Sequence, residues 1–447
     1  MTNALLKTIT TCTTNWPVNL VSFLFCVSSI FYSCKDPKKV SLQRQVLDNP
    51  SGIVFVDTFD VKVETVRIDT PSTKNIPHLF VGNYKDALLG DISLSTYSEL
   101  SYSGFDSLSI DVIDSVVLKI NYDMILGTTT GQVLSFDLKE LTEKVDSATK
   151  YNSTSSLALG ETITSVSFAH NKYTFSQNNL ALISHFKKAI KKPEKEFKSL
   201  IKGLALVPTS SNSSFAIGIN TSNTNGFAIL IYGHKGTEAT SNLYQLSMST
   251  KSQRFVKGTY SNSELPMSTF AKKSSEMENK AVLNDLFGIR SRISFPSLTN
   301  FLHSIKNEYT LLETSIYVPS ADNFKQTVDF PLPYIYLIEC DTEGNPLKNS
   351  NGTYKQVQNE ISGKNTPGDL RGTVNPYFSY YDNQNTRFKY PFSLYAQEIQ
   401  KGVEIKPFIV SLYSYYAKST VTPLSYSYFD KALDGIKIVV YYSKSTL

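Results

Sequence analysis

KGLALVP, residues 202–208, is answered by KGVEIKP at residues 401–407, and this echo decides how the chain is read. The two strings share K-G-[LV]-x-[LI]-x-P at a separation of 199 residues. Outward from them, DALLG from Asp86 meets DLFG from Asp285, and IDSVVLKI from Ile113 meets LETSIYV from Leu312, which sets Asp114 against Glu313. Both pairs keep the 199-residue offset. A fourth pair, GFAILIY from Gly226 and GIKIVVY from Gly435, follows at 209, so the last loop of the second copy is longer. Three short strings at one offset point to an internal duplication, and a loop is where added residues are tolerated.

Within each copy, short β-branched and aromatic runs are punctuated by Gly, Asn and Ser, the pattern of strands and turns. SVVLKI, VLSFDL, AIGI and AILIY in the first copy read as strands, as do YIYLIE, FIVSLYSY and IKIVVYY in the second. Ahead of each K-G pair, KEFKSLIK and LYAQEIQK carry apolar residues at helical spacing: Phe197, Leu200 and Ile201, then Ala396 and Ile399. Gly203 and Gly402 then stand where a helix C-cap takes glycine. The expected fold is all-β with minor α: two tandem jelly-roll-like β-sandwich modules related by duplication, each with a short helix. Their expected spans are residues 53–235 and 243–447, parted at the small polar stretch HKGTEATSN from His234.

The first 34 residues have the order of an export leader. One charge, Lys7, precedes an apolar run at residues 18–30, then Phe31-Tyr32-Ser33-Cys34, then the polar KDPKK. The run is well short of the roughly 20 apolar residues that span a bilayer. Residues 1–33 are therefore expected to be a lipoprotein signal peptide, Cys34 the lipidated first residue, and 34–52 a tether; an ordinary secretory signal and an uncleaved anchor are the alternatives. Of the four cysteines, Cys12 and Cys26 leave with the leader and Cys34 is acylated, so Cys340 has no disulfide partner. Cleavage also removes Lys7, lowering the formal charge from +5 to +4, too mild a balance to suggest nucleic acid.

No string carries catalytic or metal-binding chemistry. The five histidines, His78, His170, His185, His234 and His303, have neither an i,i+4 pair nor an H-x-E context. GTTTG at Gly127 and GNYKDALLG at Gly82 lack phosphate-loop spacing. DTEGNPLKNSNG from Asp341 is rich in oxygen but has its glycine misplaced for a calcium loop, so it reads as a turn. Residues 180–202 gather Lys187, Lys188, Lys191 and Lys192, with Lys195, Lys198 and Lys202, around Pro193. That basic patch could meet anionic lipid or an acidic partner, but a solvated helix face backed by Phe186, Ile190 and Phe197 explains it more simply. Tyrosine clusters at YFSYY from Tyr377 and LYSYY from Leu412 could stack on sugar rings. Trp16, the lone tryptophan, lies in the leader, which weighs against a sugar platform in the mature chain.

The Cys34 leader, the tether, DALLG, IDSVVLKINYD, FDLKEL, KGLALVP, GIRSRISFPSL and the closing IKIVVYY together resemble the Bacteroidota lipoprotein family catalogued as domain of unknown function 4270. The resemblance covers nearly the whole mature chain. It implies an outer-membrane lipoprotein, periplasmic or surface-facing, and supplies no activity. The functional expectation is a non-catalytic binding or scaffold protein of the envelope, with no cofactor and no metal, held to the membrane by its lipid and contacting an envelope protein. The alternative is a glycan-binding lipoprotein of a polysaccharide-uptake system. A hydrolase would need converging carboxylates or a His–carboxylate pair.

Overall fold

IDSVVLKIN alternates apolar and polar residues, and in the computed structural model it lies in the strand Val112–Asn121, which buries Val116, Leu118 and Ile120 and leaves the residues between them half-exposed. The structure describes residues 52–67, 71–103, 112–170, 173–209 except 188, 190 and 191, 214–238 except 223, 242–263, 281–319, 334–357 except 351 and 353, 381–382, 387–413, 426–428 and 435–444. The chain divides into residues 1–54 and 55–447, and the architecture here is that of the second unit. The leader, Cys34, most of the tether and all of the two tyrosine clusters but Tyr381, Leu412 and Tyr413 lie outside the described residues.

Pairing, more than sequence identity, shows the duplication. Val112–Asn121 is flanked by Phe227–His234 on one side and Thr174–Asn178 on the other, all antiparallel. Tyr309–Pro319 is flanked in the same way by Lys437–Lys444 and Arg387–Pro391. In the opposing sheet, Leu204–Pro208 joins Gly90–Ser98 to Val133–Leu141. Its counterpart Phe408–Tyr413 joins Ile289–Ser294 to Tyr334–Glu339. The result is an all-β fold of antiparallel sheets packed in sandwich fashion, with four short helices among the described residues.

DALLG and DLFG prove to be the same kind of device, a tight turn entering the second strand of a hairpin. In the first, Leu88 N and Leu89 N both donate to Asp86 Oδ1 at 2.8 Å, and Gly90 has φ +74°. In the second, Phe287 N donates to Asn284 Oδ1 at 3.2 Å, Gly288 N donates to the Asp285 carbonyl at 3.2 Å, and Gly288 has φ +70°. A left-handed residue closing such a turn favours glycine.

The expected cut between residues 235 and 243 is not where the sheets part. Asn242–Met248 returns antiparallel on Phe227–His234, so the strands on either side of the expected cut belong to one sheet. Arg254–Ser261 then pairs along Gly90–Ser98 of the first copy. In the other direction, Lys62–Arg67 crosses to pair with Ile289–Ser294 of the second. A small polar stretch with glycine serves a hairpin as well as a linker, and the sequence alone does not separate the two.

Each copy encloses an apolar core, one built around Phe80, Phe136, Phe215 and Phe227, the other around Phe295, Tyr390, Phe392 and Phe408. Each also buries the outer face of its second sheet beneath the segment that follows Val133–Leu141 in the first copy and Tyr334–Glu339 in the second. Residues 142–158 bring Val145 and Tyr151 over Tyr97, Ala205 and Phe255, where Tyr151 and Tyr97 ring centroids lie 4.2 and 4.7 Å from Phe255. Residues 340–357 cover the cluster of Val66, Tyr336, Ile338, Cys340 and Ile409 in the second copy, with Gly344 against Val66 and the Thr342 carbonyl accepting from Arg292. These two straps explain why both faces of these sheets are apolar, where a sandwich usually shows one.

Candidate functional site

The residues singled out by sequence divide between scaffold and surface. Gly402 is a helix stop: Gly402 N donates to the Ile399 carbonyl at 2.9 Å and Val403 N to the Glu398 carbonyl at 3.0 Å, a Schellman pair after the helix Ser393–Gln400. Gly203 is not. The helix Glu194–Leu200 ends at Ile201 in an extended conformation, and a side chain at Gly203 would put Cβ 2.6 Å from the Ser98 carbonyl oxygen. Its glycine is required by a close backbone approach instead. The strand after the K-G pair begins at Leu204 in the first copy and, at the expected FIVSLYSY, at Phe408 in the second. Gly226 gives its carbonyl to Asn121 N at 2.7 Å, and Gly435, with φ +64°, precedes the closing strand.

The basic segment folds as two short helices with Pro193 as the N-cap of the second. Phe186 and Phe197 are fully buried in the first core, so the apolar side does cap the sandwich. Lys192 pairs with Glu196 at 3.3 Å, Lys198 with Glu194 at 2.6 Å, and Lys202 Nζ donates to the Thr142 carbonyl at 2.6 Å. Lys187 is exposed, while Lys188 and Lys191 lie outside the described residues. Exposed pairs of this kind contribute little to stability, but they divert the charge from a lipid surface.

Every histidine sits beside its own polar partner. His78 Nε2 lies 2.8 Å from Asp123 Oδ1, His170 Nδ1 2.8 Å from Tyr122 OH, His234 Nδ1 2.8 Å from Asp114 Oδ1, and His303 Nε2 2.9 Å from the Ile399 carbonyl. Burial holds His185 below its ordinary pKa against the pull of Glu140 at 3.8 Å. Asp341 organises its turn, with Oδ1 accepting from Glu343 N at 3.0 Å and Asn345 N at 2.8 Å. Among the described residues no group of three His, Cys, Asp or Glu side chains converges as a metal site.

Two constellations were not visible in the sequence. The first is interior: Arg290 Nε lies 2.6 Å from Asp285 Oδ1, with both side chains almost wholly buried and Arg290 Nη1 without a hydrogen-bond partner. It ties the DLFG turn to the strand that leaves it. The second is on the open face of the sheet around Tyr309–Pro319. Cross-strand register places Lys437, Tyr317 and Lys389 in one row, since directly opposed residues share a face. The Arg387 guanidinium stacks 4.2 Å from the Tyr317 ring centroid, and Lys389 Nζ lies 6.0 Å from it. Glu313 binds Lys389 at 2.8 Å, and that hydrogen bond, helped by Ser315, lowers the Glu313 pKa despite partial burial. The pair is half-exposed, at 50% for Lys389 and 46% for Glu313.

This face offers donors, an acceptor and an aromatic ring to a polar ligand, and it is the candidate binding site. A cleft of about 460 Å³ beside DALLG, lined by Lys85, Asp86, Ala87, Gly90, Asp91 and Asn262, is a weaker one. Its Asp86 carboxylate already holds the turn, and its Asp91 accepts from Asn262 Nδ2 at 2.7 Å. Sequence patterning missed the Tyr317 face because its members come from three strands far apart in the chain.

No family model matches the chain, and no curated protein does. Among solved structures it is similar to a protein of Parabacteroides distasonis ATCC 8503 thought to be secreted, at 10% identity, over 85% of this chain and 99% of that one, with a TM-score of 0.20. A likeness at that score carries no argument about fold or function.

Proposed function

We propose that the protein is an exported outer-membrane lipoprotein, cleaved before Cys34, whose two β modules act as a non-catalytic binding scaffold of the cell envelope. The resemblance to the Bacteroidota family of unknown function 4270 supports the export and the anchor. None of the described helices is long and apolar enough to cross a membrane, so attachment falls to the lipid in this reading. The binding role rests on one observation, the Tyr317 face, where Arg387 and Lys389 lie over the ring, Lys437 shares its cross-strand row and Glu313 binds Lys389. Elsewhere the buried charges serve the fold, as Asp285 and Arg290 do.

In the test, full-length protein in its native membrane is cross-linked and its neighbours identified, in parallel for the wild type and for Arg387→Ala with Tyr317→Ala. A partner captured by the wild type and lost from the variant is the expected outcome. Identical neighbours for both, or none for either, would count against the reading. The glycan-binding alternative draws on the same face, since a tyrosine beside charged donors can hold a sugar. It predicts retention of the wild type, but not the variant, in polysaccharide-containing native gels.

A further inference from the structure

The strand Leu159–Ala169 runs for 11 residues at the margin of the larger first-copy sheet, about 35 Å at the usual rise. Val133–Leu141 pairs along one side of it, and among the described residues nothing pairs with the other. Among the described residues, no second strand takes up its backbone N–H and C=O groups on that side. Folded proteins protect such edges with charge, proline, shortness or a cover. The other outermost strands among the described residues are shorter or otherwise protected, Ile53–Val56 and Thr174–Asn178 by running for only four and five residues. Met124–Gly127, Ser101–Ser103 and Tyr381–Asp382 are short. Lys62–Arg67 carries Lys62, Glu64 and Arg67. Tyr334–Glu339 is bridged from Gln356 to Ile338, and Arg254–Ser261 is engaged by Asn75 and Ser153.

From Thr164 onward Leu159–Ala169 carries no such defence in its own sequence, and among the described residues the one side chain from outside the strand pair bonded there is Asn179, whose Nδ2 donates to Thr164 Oγ1 at 2.8 Å. The sequence TSVSFA holds no charge, no proline and no glycine. It is also the regularly paired part, with Thr164, Val166 and Phe168 opposite the buried Leu138, Phe136 and Leu134. On the other face, Ser165 Oγ donates to Asp137 Oδ1 at 2.7 Å and Ser167 Oγ lies 2.9 Å from Ser135 Oγ. The side chains therefore define a two-faced strand: an inner row of Thr164, Val166 and half-buried Phe168, and an outer row of exposed serines.

We infer that this edge is a contact between two copies of the chain, paired antiparallel about a two-fold axis at Val166. A row of unspent backbone groups calls for another extended backbone, and antiparallel pairing about a two-fold axis is the self-complementary solution. The register matches face to face. Val166 meets Val166 of the second copy, Phe168 covers Thr164, and Ser165 meets Ser167, with no like charges opposed. A foreign strand would have to supply the same alternation, whereas a second copy brings it already in place. The inference does not need the Tyr317 face to bind anything.

Sedimentation equilibrium of the full-length chain in density-matched detergent tests it. The wild type is expected to dimerise, and the Ser165→Lys, Ser167→Lys double variant to dimerise at least tenfold more weakly, because edge lysines oppose pairing while both positions are exposed and tolerate them. A far-ultraviolet circular-dichroism spectrum matching the wild type, with a cooperative melt, establishes that the variant folds. Independently, Ser165→Cys protein mixed with Ser167→Cys protein should form a disulfide between copies under mild oxidation. A wild type that stays monomeric, leaving the edge to a foreign strand, would overturn the inference. So would a dimer indifferent to the lysines, or equal cross-linking by either cysteine variant alone.

Discussion

Gly203 and Gly402 occupy matching places in the two copies and answer to different demands. At Gly203 a Cβ would collide with the Ser98 carbonyl at 2.6 Å and Leu141 Cδ1 at 2.8 Å, whereas at Gly402 it meets nothing within 4 Å and only φ +105° opposes it. Gly402→Ala is therefore expected to cost about 1–2 kcal/mol and Gly203→Ala clearly more, read from urea midpoints on one background. Equal losses at the two sites would contradict the assignment. The helix signals preceding both glycines were legible in the sequence; the Ser98 approach was not, because it comes from a strand about a hundred residues earlier. The Asp285–Arg290 pair was hidden in the same way, its members reading separately as a turn residue and a strand charge. Arg290→Met takes the cationic partner from a buried carboxylate and is expected to destabilise by about 3–5 kcal/mol, with Asp285→Asn added to it recovering part of the loss. The cycle of singles and double, measured by denaturation, checks this.

At the scale of elements, alternation along strands such as Val112–Asn121 gives the sheets their faces, whereas of the two straps only the Asp341 segment carries a sequence signal, that of a turn. An apolar residue on the outer face, such as Ile409 or Phe255, has no pattern of its own to announce a cover. Cys340 reports on the second strap. Burial pushes its thiol up to about 12, against an ordinary value of 9.0. Since the folded pKa lies above the unfolded one, folding holds the proton, and stability is lost as pH rises from about 9 towards 12. Cys340 should supply a slope of about 1.4 kcal/mol per pH unit there, which Cys340→Ala removes. At pH 8 its labelling by a thiol reagent should proceed only through strap opening, and Asp341→Ala, which loses the hydrogen bonds to Glu343 N and Asn345 N, should speed that labelling. Rapid labelling of the unaltered protein would mean that the strap does not shield the thiol.

At the scale of the molecule, the 199-residue echo foretold a duplicated β architecture, and the paired sheets carry it. What the echo could not convey is exchange: Arg254–Ser261 joins the sheets of the first copy and Lys62–Arg67 those of the second, so a cut at residues 236–242 would sever both. A fragment of residues 53–235 leaves Gly90–Ser98 without its eight-residue neighbour, and it is expected to unfold at lower denaturant than the intact chain or to aggregate. The account as a whole depends on a scaffold that leaves the cell interior and stays tied to a membrane. Mass spectrometry of the N-terminal peptide from membrane-extracted protein tests that most directly. The account predicts a mature chain beginning at Cys34 with diacylglycerol on its sulfur; an unmodified Cys34 within a peptide that still carries residues before it would contradict it.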